Sequence, residues 1–189
     1  MKRAFIAALA GLSLSAQAVE YNRIDTDKST LQFVFRQMNV PVEGHFKRFK
    51  SQLSFDPAKP AAARAELAIE LASIDAGSPE ANDEVAGKLW FDSKTHPTAR
   101  FIATAIKPLG NHRYEVAGQM SIKGRTRAVS APATLRANGA TAVIEGAFVL
   151  KRADFGIGEG IWADFGTVAN EVQIKFRLVA ITTAVAAKP

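Results

Sequence analysis

Residues 114–124 read YEVAGQMSIKG and alternate between two kinds of side chain. The even positions up to 122 carry Tyr, Val, Gly, Met and Ile, whereas the odd positions carry Glu, Ala, Gln and Ser. A period of two residues predicts a β-strand with one apolar and one polar face. The pair Lys123-Gly124 predicts the turn that ends this strand. The stretch therefore predicts an antiparallel sheet that buries a single face.

The same alternation recurs on both sides of this stretch. Four further runs show it, at residues 30–35, 52–55, 66–71 and 171–178. Turn-forming pairs such as Asp56-Pro57 and Asn138-Gly139 lie between the runs. The pattern predicts about eight antiparallel strands, which either pack as a sandwich or close into a barrel. Periodicity alone leaves both arrangements open.

One segment breaks the strand pattern. Ser78 is a suitable N-cap, and the residues from Pro79 to Trp90 place acidic side chains early and apolar ones at helical spacing. We expect one helix here, between two strands, ending near Asp92.

The N-terminus has the organisation of a secretory signal peptide. Lys2 and Arg3 precede an apolar run from Ala4 to Leu14, and residues 15–18 offer an Ala-x-Ala cleavage pattern. The alternative is a buried N-terminal helix. A membrane anchor is disfavoured, because the apolar run is shorter than the ~20 residues that span a bilayer. We expect cleavage after Ala18, which divides the chain into a signal peptide, 1–18, and one exported domain, 19–189.

Composition excludes several kinds of chemistry. The chain has no cysteine, which rules out disulfides, thiolate metal sites and cysteine nucleophiles. Its three histidines lie at 45, 96 and 112, far from metal-ligand spacing, and it has no Gly-x-Ser-x-Gly motif. We therefore assign no catalytic residue, no metal site and no cofactor.

The net charge of +6 is weakly informative about partners. The densest basic segment is HFKRFK at residues 45–50. A mixture of basic and aromatic residues is compatible with a surface that binds nucleic acid. A second interpretation is that the segment is weakly attracted to anionic lipid headgroups. We favour a solvated basic hairpin and predict no nucleic-acid partner and no stable insertion into a membrane.

Six motifs in a fixed order resemble those of YceI-like polyisoprenoid-binding proteins. They are FVFRQMNVPVEGHF (33–46), SIDAG (73–77), LWFD (89–92), GQMSIKG (118–124), RADFGI (152–157) and NEV (170–172). The resemblance extends from about Tyr21 to Leu178. It implies an extended lipocalin-like barrel, export to the bacterial periplasm, a long isoprenoid-type lipid in the pore, and no catalysis. Lys123 and Arg36-Gln37 stand where the family often has histidine, so no headgroup contact is assigned.

One tetrapeptide occurs twice, once within the motif RADFGI and once after it. The tetrad Ala-Asp-Phe-Gly occurs at 153–156 and again at 163–166. We interpret both copies as turns at the barrel rim, with Phe155 and Phe165 folded inward. The glycine-rich residues between them predict a flexible loop across the barrel mouth, in which Trp162 packs either on a lipid or on the rim.

Together the residues and the resemblance predict an all-β fold, a single eight-stranded antiparallel lipocalin-like barrel with one helix between strands. We expect a periplasmic protein that holds an isoprenoid or other long-chain lipid, such as a quinone or a polyprenyl compound, for storage, shielding or transport. The alternatives are a barrel enzyme acting on a similar apolar substrate, and a filled-core barrel that serves as a stress-related interaction module. The sequence leaves open whether the protein acts as a monomer or as a homodimer.

The predicted ligand-binding residues form the apolar lining of the pore. They lie on alternating strands, whose apolar side a barrel turns inward, and each enclosed methylene of a ligand is worth ~0.8 kcal/mol. The predicted lining consists of Phe33, Phe35, Leu67, Ile69, Phe101, Met120, Ile122, Phe148, Ile174 and Phe176.

Overall fold

A computed structural model describes residues 19–183, so the predicted signal peptide and its cleavage site lie outside the described residues. Within this range the chain forms ten β-strands, one α-helix and four 3-10 turns. The helix is α1 (Pro79–Ala86). The strands are β1 (Arg23–Gln37), β2 (Val40–Phe46), β3 (Phe49–Ser54), β4 (Arg64–Glu70), β5 (Ile74–Asp75), β6 (Thr98–Gly110), β7 (Arg113–Ile122), β8 (Arg125–Asn138), β9 (Thr141–Lys151) and β10 (Glu171–Ile181).

The strands form one curled sheet in the order β3-β4-β6-β7-β8-β9-β10-β1-β2-β5. Every strand pair of the sheet is antiparallel. The sheet curls until its two ends meet, because only Lys47 and Arg48 separate β2, near one end, from β3 at the other. Tyr21 and Phe55 add a second link, each donating its backbone N–H to the carbonyl oxygen of the other at 2.9 Å.

The prediction of an all-β fold with one helix is confirmed, but the predicted count of eight strands is wrong. Two features account for the difference. The run predicted at residues 52–55 contributes the end of β3, and the bend at Lys47 and Arg48, within the predicted basic hairpin, separates β3 from the additional strand β2. β2 pairs with β1, whereas β3 pairs with β4. The two-residue strand β5 then adds to the outer edge of β2, where Ile74 pairs with Phe46.

The alternation that predicted the strands matches their burial. On β7, Tyr114, Met120 and Ile122 are buried, whereas Gln119 points to solvent. This difference follows from the pleat, which sends successive side chains to opposite faces of a sheet. The apolar side of each strand therefore faces the interior of the curl.

The helix begins where the sequence predicts and ends earlier. The Ser78 hydroxyl accepts a hydrogen bond from the backbone N–H of Ala81 at 3.2 Å, which confirms the N-cap. The helix stops at Ala86 because Gly87 adopts an extended conformation with ψ near 170°. Beyond it, residues 88–92 form turns, so the predicted end near Asp92 is too late.

One end of the interior is closed by packed side chains. Tyr21, Phe55, Tyr114 and Leu135 belong to a single buried cluster there, and the Phe55 and Tyr114 rings meet edge to face at 5.5 Å. We call this the lower end. The helix, the β1–β2 turn and the loop 152–168 lie at the opposite, upper end. Within residues 19–183, no helix has the length and apolar character needed to cross a bilayer.

Candidate functional site

The interior of the curl holds two cavities. The upper chamber has a volume of about 470 Å³ and lies beneath α1 and the loop 152–168. The lower chamber has a volume of about 140 Å³, is lined almost wholly by apolar atoms, and ends against the packed cluster at the lower end. The interior of the curled sheet is therefore not filled by its own side chains.

All ten residues predicted to line the pore border one or both chambers. Phe33, Phe35 and Ile122 border the upper chamber, and Ile69, Met120 and Ile174 border both. The remaining four, all on the lower chamber, are Leu67, Phe101, Phe148 and Phe176. Their placement around an open space is a property of the fold, whereas contact with a ligand stays a prediction.

Partial exposure of these inward-facing residues indicates empty space beside them. Leu67, Ile69, Phe101, Phe148 and Ile174 are only half-buried, although they lie on the inner side of their strands. In a filled core the same positions would be fully packed, because protein interiors leave few voids larger than a water molecule.

Glycines opposite two of the aromatic residues help to keep the interior open. Phe33 pairs with Gly44 and Phe176 pairs with Gly146 across neighbouring strands. A Cβ atom on either glycine would collide with the facing ring. Each ring therefore lies against the wall over a residue without a side chain, instead of projecting across the cavity.

Several polar side chains border the upper chamber: Gln32, Gln37, Glu80, Glu84 and Arg152. Hydrogen bonds from the backbone N–H of Glu80 and from the Ser78 hydroxyl lower the pKa of the Glu80 carboxyl, which keeps it ionised. Sequence patterns did not identify Glu80, Glu84 or Arg152 as bordering the cavity, because α1 and the loop 152–168 approach one another only in the folded chain.

Arg152 is the most unusual side chain of the site. It is 2% exposed, and its guanidinium donates five hydrogen bonds to backbone carbonyl oxygens within the loop that follows it. The distances to the acceptors Ile157, Gly158, Trp162, Val168 and Ala169 lie between 2.7 and 3.1 Å. Burial lowers the pKa of Arg152, but five acceptors compensate the charge. Arg152 thus organises the loop and has no donor left for a ligand.

Lys123 ties the β7–β8 turn to this loop. Its ammonium group donates to the carbonyl oxygens of Lys88 at 2.8 Å and Gly156 at 2.7 Å, and to the Glu159 carboxylate at 3.1 Å. Arg125 contacts the other oxygen of the same carboxylate at 3.1 Å. The hydrogen bond from Lys123 is the main reason why the pKa of Glu159 is lowered. The residue that departs from the family's frequent histidine therefore has a structural role at the rim.

Both tryptophans of the chain border the upper chamber. The Trp90 and Trp162 rings lie 5.5 Å apart, and Nε1 of Trp162 donates to the Glu84 carboxylate at 2.7 Å. The two alternatives for Trp162 are therefore not exclusive, because it packs on the rim and also faces the cavity. Its bond to Glu84 joins the loop 152–168 to α1.

The two Ala-Asp-Phe-Gly turns differ in the orientation of their aromatic residue. Phe155 is buried, as predicted, but Phe165 is 50% exposed, so the prediction that it folds inward is wrong. The Asp164 carboxylate accepts hydrogen bonds from Gly166 and Thr167, which fixes a tight turn. In this turn the Phe165 ring lies 5.2 Å from the Arg152 guanidinium and covers it from outside.

The basic segment 45–50 occupies an outer groove and is not a hairpin. It spans the bend between β2 and β3. Lys47 pairs with Asp75 at 2.8 Å and Arg48 pairs with Glu70 at 2.7 Å, so the pKa values of both carboxyls are lowered. Carboxylates thus neutralise much of the charge that suggested nucleic acid. Among residues 19–183, no group of three His, Asp or Glu side chains is placed to hold a metal ion.

Comparison with known sequences identifies relatives along most of the chain. A family model described as a YceI-like domain matches residues 22–180. A UPF0312 protein of Azotobacter vinelandii is 31% identical over 137 residues, which is 69% of this chain and 69% of that protein. A UPF0312 protein of Pseudomonas putida is 29% identical over 149 residues, covering 74% of this chain and 76% of the relative.

Solved structures share the fold. BcnA of Burkholderia cenocepacia is 49% identical and superimposes with a TM-score of 0.81, over 83% of this chain and 99% of BcnA. A polyisoprenoid binding domain from Saccharophagus degradans, implicated in plant cell wall breakdown, superimposes with a TM-score of 0.69 over 88% of this chain and all of that domain. At 16% identity, the second likeness shows the fold alone.

Proposed function

Because the chain belongs to the YceI-like family, we propose that it holds a long apolar isoprenoid-type lipid inside its barrel, a quinone or a polyprenyl compound. The protein stores, shields or carries this lipid and performs no chemistry on it. The single observation that carries the proposal is the apolar, unfilled upper chamber of about 470 Å³.

The energetics of burial support this proposal. Each methylene that moves from water into an apolar cavity is worth ~0.8 kcal/mol, so ten enclosed carbons contribute roughly 8 kcal/mol before the cost of ordering the chain. An apolar wall can therefore bind a prenyl chain without a dedicated polar anchor. The name of the Saccharophagus degradans domain, which shares the fold, agrees with this ligand class.

The proposed location is the bacterial periplasm. The signal-peptide pattern in residues 1–18 supports export, and cleavage after Ala18 would release the domain that begins at Val19. A lipid carrier between two membranes needs an interior that shields the tail from water, which the two chambers provide.

Two alternatives are less well supported. An enzyme would use polar groups in the chamber. However, the Arg152 guanidinium donates its hydrogen bonds to backbone carbonyls, and the Glu84 carboxylate accepts a hydrogen bond from Trp162. A filled-core interaction module would leave no cavity of several hundred Å³.

The test combines lipid analysis with a plug in the upper chamber. Mass spectrometry of an organic extract from natively purified protein should detect an isoprenoid lipid. Ile122→Trp should abolish its retention at little cost in stability, because the new ring occupies the cavity. The matched control is Ile102→Trp, which places the same ring on the outer side of β6, where Ile102 is 43% exposed, and should leave retention intact.

A barrel with a filled core would give a different result. In a filled core, Ile122→Trp overpacks and costs ~1–3 kcal/mol, with no lipid to lose. Unaltered protein without extractable lipid, together with an Ile122→Trp variant that is merely destabilised, would refute the proposal.

A further inference from the structure

The two chambers meet at a neck formed by four residues. Among residues 19–183, four side chains border both cavities: Leu31, Ile69, Met120 and Ile174. Leu31 is 4% exposed and Met120 is 7% exposed, so these two side chains are closely packed. We propose that these four residues, the neck, act as a gate that decides how long a lipid tail the protein holds.

The neck residues come from opposite sides of the barrel. Leu31 lies on β1 and Met120 on β7, and three strands (β8, β9 and β10) separate these two in the sheet order. In the other direction, β6, β4 and β3 lie beyond β7, and β2 and β5 lie beyond β1. Since the sheet closes on itself at the bend between β2 and β3, Leu31 and Met120 face each other across the interior. Ile69 on β4 and Ile174 on β10 complete the ring.

Met120 is the side chain suited to move. Methionine is unbranched and has three rotatable bonds, so it changes shape at small cost, whereas the branched side chains of the other three residues are stiffer. A change of rotamer at Met120 would join the chambers without disturbing the strands. A short tail would then fill the upper chamber alone, and a longer tail would pass the neck.

The lower chamber is the reason why the gate affects the preference of the protein for long or short lipid tails. It is apolar throughout and closed at its far end, so it offers a passing tail burial but no polar contact. Every carbon beyond the neck adds to affinity until the lower chamber is full. The inference rests on the proposed function and adds that the neck makes affinity depend on tail length.

The experiment measures this dependence directly. Lipid-free, refolded full-length protein is equilibrated with tritium-labelled farnesol or solanesol, a short and a long prenyl alcohol, and the dissociation constants are compared. We define the length ratio as the Kd for farnesol divided by the Kd for solanesol. The unaltered protein should show a length ratio of at least ~10.

Variants then separate the neck from the rest of the interior. Ile69→Trp fills the neck and should bring the length ratio close to one, by weakening solanesol binding more than farnesol binding. Met120→Ala widens the neck and should raise the length ratio. Ile122→Trp, in the upper chamber, should abolish binding of both alcohols, and the external control Ile102→Trp should leave the length ratio at the value of the unaltered protein.

Each result decides between the two proposals. If the unaltered protein binds neither alcohol, the proposed function fails and the gate with it. If it binds both with a length ratio near one, or if Ile69→Trp keeps the original ratio, the function stands and the gate is wrong. Should Ile69→Trp fail to fold, Leu67→Trp provides the same test, because it fills the lower chamber just beyond the neck on the same strand.

Discussion

At the scale of single residues, Arg152 shows how a buried charge can be held without a counterion. Within the described residues its partners are five backbone carbonyls, all belonging to the loop that Arg152 begins. Charge-assisted hydrogen bonds are stronger than neutral ones, and the fork of the guanidinium can serve several acceptors at once. One side chain thereby fixes the conformation of a loop that has little regular structure.

Removal of the Arg152 side chain should therefore lower the stability of the folded protein substantially. Arg152→Met leaves five carbonyls without their donor, and we expect the free energy of unfolding to fall by more than ~3 kcal/mol. Arg152→Lys should lose less, since an ammonium retains three donors. Urea denaturation measures both. Arg127→Met, at an exposed arginine on β8, should stay within ~0.5 kcal/mol of the unaltered protein, and an equal loss in both would contradict this account.

At the scale of elements, the rim depends on ion pairs that join the β7–β8 turn to the loop 152–168. Glu159 accepts from Lys123 and Arg125, and both contacts require its ionised form. Its pKa is lowered in the folded protein, chiefly by the hydrogen bond from Lys123. A carboxyl with a lowered pKa contributes stability at pH values above its unfolded pKa, and this contribution disappears as the pH falls through the folded value.

The pH dependence of stability should reveal this link. Glu159→Gln should lower the free energy of unfolding at neutral pH by no more than ~1 kcal/mol, because the Glu159 side chain is 46% exposed and solvent screens the pair. The difference between variant and unaltered protein should shrink as the pH falls below the ordinary range of a glutamate carboxyl. Urea midpoints at a series of pH values measure it. A difference that grows towards acid would contradict the prediction, and Glu171→Gln, at an exposed position on β10, provides the control.

At the scale of the whole molecule, the curled sheet leaves its interior unfilled, which reduces the stability that packing would otherwise supply. Large apolar side chains face an upper cavity of about 470 Å³ and lose the contacts that a filled core would give them. A bound lipid would restore those contacts. Ligand occupancy and stability should therefore be coupled, because a molecule that binds only the folded state stabilises it.

Lipid removal should accordingly lower the thermal midpoint. Protein freed of lipid should melt below natively purified protein, and added farnesol should raise the midpoint in a concentration-dependent way. At a free ligand concentration one hundred times its Kd, the expected gain is ~2.7 kcal/mol. Ile122→Trp should melt at the same temperature with and without farnesol. Equal midpoints for lipid-free and native protein would contradict the coupling.

The sequence alone determined the all-β class and, for the alternating runs, which side of each strand is apolar and faces the interior. Period-two alternation is enough for this, because the pleat assigns each side chain of a strand to one face, and a single apolar face must leave water. Met120 and Ile122 were placed correctly on this ground. The N-cap at Ser78 could also be predicted from local sequence, because it consists of one hydrogen bond between the Ser78 hydroxyl and a backbone N–H three residues later.

The tertiary structure determined the features that require segments distant in the sequence to come into contact. The bend at Lys47 and Arg48 separates β2 from β3 because β2 pairs with β1 and β3 pairs with β4. The outward position of Phe165 follows from packing on Arg152, and the neck exists only because β1 and β7 face each other across the closed curl. An alternating pattern fixes which side of a strand is apolar, but the volume left between opposite walls depends on curvature and packing that no local pattern encodes.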